Sequence, residues 1–148
     1  MIPTSQKSGQ RWRYVFSNLD KNWKQFNYDD TSWKSGEGGF GDPKDSNPII
    51  RTKWQQKELW LRKKFVFEGQ KNEPLYIQVF HQFENETQFY LNGELIAEAP
   101  EHSNAYTFIK MDDKARSLLK SGENILAVHT KNNGRRAYFD AGLVVITK

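Results

Sequence analysis

Three polar and aromatic groups lie between the apolar stretches of this chain. Trp54 stands near Arg51. His81 precedes Glu84 and Asn85. Asn132, Asn133, Arg135, Arg136 and Tyr138 surround Gly134. Planar amide, carboxylate and guanidinium groups hydrogen-bond neighbouring hydroxyls in pairs, and flat rings cover C–H surfaces. The chemistry these residue types could do is therefore recognition of a hydroxyl-rich ligand such as a carbohydrate, and the candidate contacts are Trp54, Arg51, His81, Glu84, Asn133, Arg135, Arg136 and Tyr138. Each also has a plain structural reading. Trp54 could pack under its loop, Arg135-Arg136 could be a solvated turn, and His81 shares parity with an apolar strand face, which favours a buried, satisfied histidine.

Bond-breaking chemistry finds less support. Glycosidic hydrolysis needs two carboxyl groups about 5 to 9.5 Å apart across the bond. Glu84, Glu86, Asp112 and Asp113 are present, but none sits in an acid/base or nucleophile motif. There is no His-Glu-x-x-His zinc site, Gly-x-Ser-x-Gly elbow or phosphate-binding glycine loop, so no catalytic residue is expected. Without cysteine there is no disulfide, thiol nucleophile or thiolate-bound zinc. No cofactor is expected. Asp29-Asp30 could ligate a structural calcium, but adjacent carboxylates more often cap a turn. The net charge of +4 is spread along the chain, which argues for solubility rather than a nucleic-acid partner. No apolar run approaches the roughly 20 residues of a membrane-spanning helix, and residues 1–10 lack the apolar core of a signal peptide.

Loops of this kind need a scaffold, and period-2 alternation supplies one. Trp12, Tyr14 and Phe16 alternate with Arg11, Arg13 and Val15. Leu61, Lys63, Phe65 and Phe67 form one face of a second strand. Leu75, Ile77, Val79 and His81 line a third, with Tyr76, Gln78, Phe80 and Gln82 opposite. Thr87, Phe89 and Leu91 run into Asn92-Gly93, a pair that tolerates positive φ and signals a hairpin pairing back over 95–99. Strands over 106–110, 125–131 and 139–147 bring the count to about eight. One short helix is predicted over 112–120, capped by Asp112 and turning Leu118 and Leu119 inward. Segment 20–58 has no clean period and reads as a long ordered loop wrapping the body. Trp12, Trp23, Trp33 and Trp60 are assigned to core or loop anchoring, and Arg62 is expected to pair with Asp140. With 148 residues, ten Phe, six Tyr and five Trp, the chain can bury one core. The expected organisation is a flexible N-terminal segment, 1–10, and a single antiparallel β-sandwich, 11–148.

The order of these signals also resembles a known family. Phe26-Asn27-Tyr28-Asp29-Asp30-Thr31-Ser32-Trp33, then Gly38-Gly39-Phe40-Gly41, then Leu59-Trp60-Leu61-Arg62-Lys63-Lys64-Phe65 look like the opening of the sugar-binding, jelly-roll domain of family 2 glycoside hydrolases, β-galactosidases among them. Phe89-Tyr90-Leu91-Asn92-Gly93-Glu94, the stretch from Leu119 to Val128, and Phe139-Asp140-Ala141-Gly142-Leu143 resemble its later strands. The fold implied is an all-β, galactose-binding-domain-like jelly-roll β-sandwich with a long N-terminal wrapping loop and one short helix. In that family such a sandwich accompanies a TIM barrel that carries two catalytic carboxylates. The resemblance thus implies a non-catalytic accessory module of a larger, β-galactosidase-like glycoside hydrolase, binding or positioning sugar, or a packing domain with no ligand of its own. The implied partners are a galactoside or related oligosaccharide and the other domains of the parent enzyme, and the implied location is periplasmic or extracellular. One departure stands out. Where the family's loop after the Ala-Val strand can contribute an acidic residue, this chain has Asn132 and Asn133 and no carboxylate before Asp140.

Overall fold

The computed structural model describes residues 1–18, 20–44, 49–69, 72–81, 86–99, 105–132 and 137–146. In chain order these form β1 (Arg11–Val15), β2 (Lys34–Glu37), β3 (Phe40–Gly41), β4 (Thr52–Lys53), β5 (Glu58–Phe67), β6 (Leu75–His81), β7 (Glu86–Leu91), β8 (Glu94–Glu98), β9 (Thr107–Lys110), α1 (Asp113–Ser117), β10 (Gly122–Lys131) and β11 (Tyr138–Val145). They make two sheets, a six-stranded one ordered β2-β1-β5-β10-β7-β8 and a five-stranded one ordered β4-β3-β11-β6-β9. All pairs are antiparallel except β3 with β4.

Alternation along the strands decides which side chains meet between the sheets. Leu59, Leu61, Phe65, Phe67, Phe89, Leu91, Leu126 and Val128 of the larger sheet pack with Leu75, Ile77, Val79, Phe139, Ala141 and Leu143 of the smaller. Lys63 falls at an inward parity and is half-buried. Its ammonium lies over the Trp12 ring, 5.9 Å from the centroid, and reaches the Arg11 carbonyl at 2.6 Å, so the charge escapes the core. The β7–β8 hairpin turns on Asn92 (φ 50°) and Gly93 (φ 97°), as the Asn-Gly pair predicts. Asn92 also holds the β10 strand start: its Oδ1 accepts from Ile125 N, and its amide donates to Leu118 O and to the wholly buried Asn124. Asp112 caps α1 by accepting from Ala115 N at 2.7 Å.

The wrapping segment covers the outer face of the six-stranded sheet. Trp23, Trp33, Trp60, Ile125 and Ala127 form a second apolar cluster there. Beneath the segment lies Arg62, only 1% exposed, whose guanidinium pairs with Asp30 at 2.8 Å and donates to the carbonyls of Trp23, Gln25 and Tyr28. The expected Arg62–Asp140 pair is not formed, because the two residues sit in different sheets. Segment 20–58 also contains three short strands, β2 to β4, rather than loop alone. The first residues, expected to be a flexible lead-in, are packed: Ile2 is wholly buried and bridges to Leu143, and a Cβ on Gly142 would lie 2.5 Å from the Ile2 carbonyl. Glycine at 142 is what lets that segment lie against β11.

Candidate functional site

Four strand ends gather at one end of the sandwich. His81 closes β6 opposite Phe139, Glu86 opens β7 opposite Lys131, and the Phe89 and Phe139 rings lie 6.2 Å apart between the sheets. The predicted residues divide here. Glu84, Asn133, Arg135 and Arg136 lie outside the described residues. His81 points inward and is wholly buried. Trp54 is also wholly buried in the main core, its N–H donating to the Gly41 carbonyl at 2.7 Å through the backbone, so its ring packs and turns no face to solvent. Of the two readings open for Trp54, the geometry carries packing.

Arg51 and Tyr138 do come together, in a polar cluster on the outer face of the five-stranded sheet. Tyr138 and Asp140 share that face by alternation in β11, and Phe80 is paired with Asp140 across β6. The Phe80 ring meets Tyr138 and Tyr106 edge-on, at 5.0 and 5.2 Å. Asp140 Oδ2 accepts from the Tyr106 hydroxyl at 2.6 Å and from Ser5 N at 2.9 Å. Arg51 donates to the carbonyls of Ser5 and Gly38, tying the N-terminal segment to the turn before β3. A Cβ at Gly38 would stand 3.1 Å from Asp140 Oδ1, so that residue must be small for the carboxyl to fit.

Burial sets the electrostatics of this cluster. It pushes the Asp140 carboxyl above its ordinary range, against the donors Tyr106 and Ser5. It also pushes the Tyr138 phenol up to about 12 and raises Tyr106 further, the Asp140 charge adding to both. No second carboxylate hydrogen-bonds into the cluster among the described residues. The arrangement clamps the chain's first residues to the sheet. Sequence reasoning missed Ser5 and Tyr106 because each is a lone polar residue outside any motif. The parity of Tyr138 and Asp140 in an apolar strand was the signal available.

Further polar positions lie outside this cluster. Asp29 caps its own turn, accepting from Thr31 N and Oγ1, while Asp30 is spent on Arg62. Among the described residues no group of three or more His, Asp or Glu could hold a metal. His129, unremarked in sequence, stacks on Trp60 with ring centroids 4.6 Å apart and meets Glu58 at 3.1 Å. Burial pulls its imidazole below the ordinary value, against the pull of Glu58.

The fold is that of a β-sandwich domain carried by family 2 glycoside hydrolases. Similar solved structures include a β-glycosidase from Bacteroides vulgatus (17% identity, TM-score 0.61, covering 97% of this chain and 20% of that one). A family 2 glycosyl hydrolase from Bacteroides cellulosilyticus is 15% identical with a TM-score of 0.62, covering 97% and 21%. A β-glucuronidase from Bifidobacterium dentium is 16% identical with a TM-score of 0.56, covering 88% and 20%. The chain thus spans about a fifth of the length of the glycosidases it matches. No protein-family model and no curated protein matches its sequence.

Proposed function

We propose that this chain is an accessory β-sandwich domain of a larger, family 2-like glycoside hydrolase, and that it serves sugar chemistry by binding or positioning rather than by cleaving. The observation that carries this reading is the end-to-end likeness of the sandwich to a fifth of each of several glycosidases. The neighbours include glucuronidases as well as a β-glycosidase, so the sugar served in this reading is a glycoside, a galactoside or related oligosaccharide among them. In this reading the partners are a saccharide and the parent enzyme's remaining domains, and the setting is the periplasm or cell exterior, where polymeric glycans are met.

A packing domain with no ligand of its own is the second reading. The burial of Trp54, His81 and Tyr138 favours it, because none presents a ring face to solvent. Titrating amide shifts with millimolar neutral oligosaccharides and a glucuronide separates the two. Saturable shifts support positioning of sugar, and a flat response across the panel supports packing alone.

A further inference from the structure

The outer face of the six-stranded sheet carries an open cavity of about 610 Å³ that belongs to the wrapping segment and not to the cluster around Asp140. Asp20, Asn22, Gln25, Asn27, Tyr28 and Asp29 line it. Its floor is held from below. Arg62 draws the carbonyls of Trp23, Gln25 and Tyr28 and the Asp30 carboxylate down to one guanidinium, and the Trp23–Trp33 stack anchors both flanks. With the backbone pulled inward, Asn22, Gln25, Asn27 and Asp29 stand exposed. The amides of Asn22, Gln25 and Asn27 have no hydrogen bond among the described residues. Asp20 and Asp29 each spend one oxygen on a nearby backbone N–H and leave the other open.

Three planar amides without hydrogen bonds among the described residues, the Gln25 one lying against Gly93, line one concavity with two half-used carboxylates and a half-buried tyrosine. Amides donate and accept in one plane, carboxylates accept in pairs, and a ring covers C–H surface, which suits vicinal hydroxyls. Because the backbone is already fixed, the ordering that accompanies binding falls on the side chains alone. We propose that this cavity is a binding site for a neutral saccharide, separate from the loop end of the sandwich. The two carboxylates repel an anionic ligand, so a uronic acid is disfavoured. A cation is disfavoured too, since the cavity offers two carboxylates, each already committed on one oxygen. Only the choice of saccharides as probes rests on the glycosidase reading; the geometry stands without it.

The test is an amide-shift titration of the chain with lactose, cellobiose, glucuronic acid and calcium chloride in parallel. Saturable shifts centred on residues 20–29 with a neutral disaccharide, weaker or absent with glucuronic acid and calcium, are the result expected. The double variant Asn22→Ala/Asn27→Ala should bind about tenfold more weakly, with an unchanged melting temperature because neither side chain bonds within the fold. No shift in 20–29 with either disaccharide overturns the proposal, as do shifts that survive the double variant or that calcium alone reproduces. Shifts confined to Arg51, His81 and Tyr138 overturn this cavity while leaving the accessory-domain reading standing. Glycoside turnover by the chain does the reverse.

Discussion

Replacing Arg62 with methionine keeps the stem and deletes the guanidinium that satisfies Asp30 and three carbonyls. Breaking a buried pair from one side costs about 3 to 5 kcal/mol, and urea unfolding should show a loss of that order. Two titrating residues act in opposite senses. Asp140 holds its proton more tightly folded than unfolded, so its contribution is complete below the ordinary carboxyl range and is lost as pH rises through the raised value. Asp140→Asn retains an acceptor for Ser5 and Tyr106, and its urea midpoint should fall less than the wild type's between about pH 4 and pH 7. His129 favours its neutral form when folded, so its contribution is present above the ordinary histidine value and is lost as pH falls through the lowered one. His129→Phe keeps a ring on Trp60, and its melting temperature should drop less on going from about pH 7 to pH 5.

At the scale of elements, the hairpin and the strand start behind it depend on two asparagines. Asn124 is wholly buried, accepts from Lys120 N and donates to the carbonyls of Lys120 and Gly122. Asn124→Ala removes these bonds and the one it receives from Asn92, and should cost about 2 to 4 kcal/mol in chemical denaturation. Ile2→Ala should cost about 2 kcal/mol or more, since Ile2 is enclosed by the core; a negligible change would show the N-terminal segment to be loosely held. The long strands were legible in sequence because each buries one face, so Leu75, Ile77, Val79 and His81 alternate with half-exposed neighbours. The strands β2, β3 and β4 were not, since two to four residues that are glycine-rich or polar carry no period. The first residues were misread because Ile2 is a single apolar side chain among polar ones, and its partner surface is formed by the far end of the chain. Trp54 shows the converse limit. A tryptophan between polar residues looks like a platform until the packing of β3 and β4 closes over it.

For the whole molecule, the two sheets use nearly all large side chains for the interior and for the tryptophan cluster under the wrapping segment. What remains to meet a ligand or another domain is the outer surface and the strand connections. The order of motifs made the sandwich and its glycosidase likeness readable in advance. The saccharide cavity was not readable, because its shape depends on Arg62 reaching back to residues 23–30 across the sheet. The most direct measurement is a hydrolysis assay of the chain with aryl β-glucuronides, β-galactosides and β-glucosides. The account predicts product formation no faster than in buffer for every substrate. Steady turnover of any one of them, abolished by replacing a single carboxylate such as Asp140 or Glu86, would contradict it.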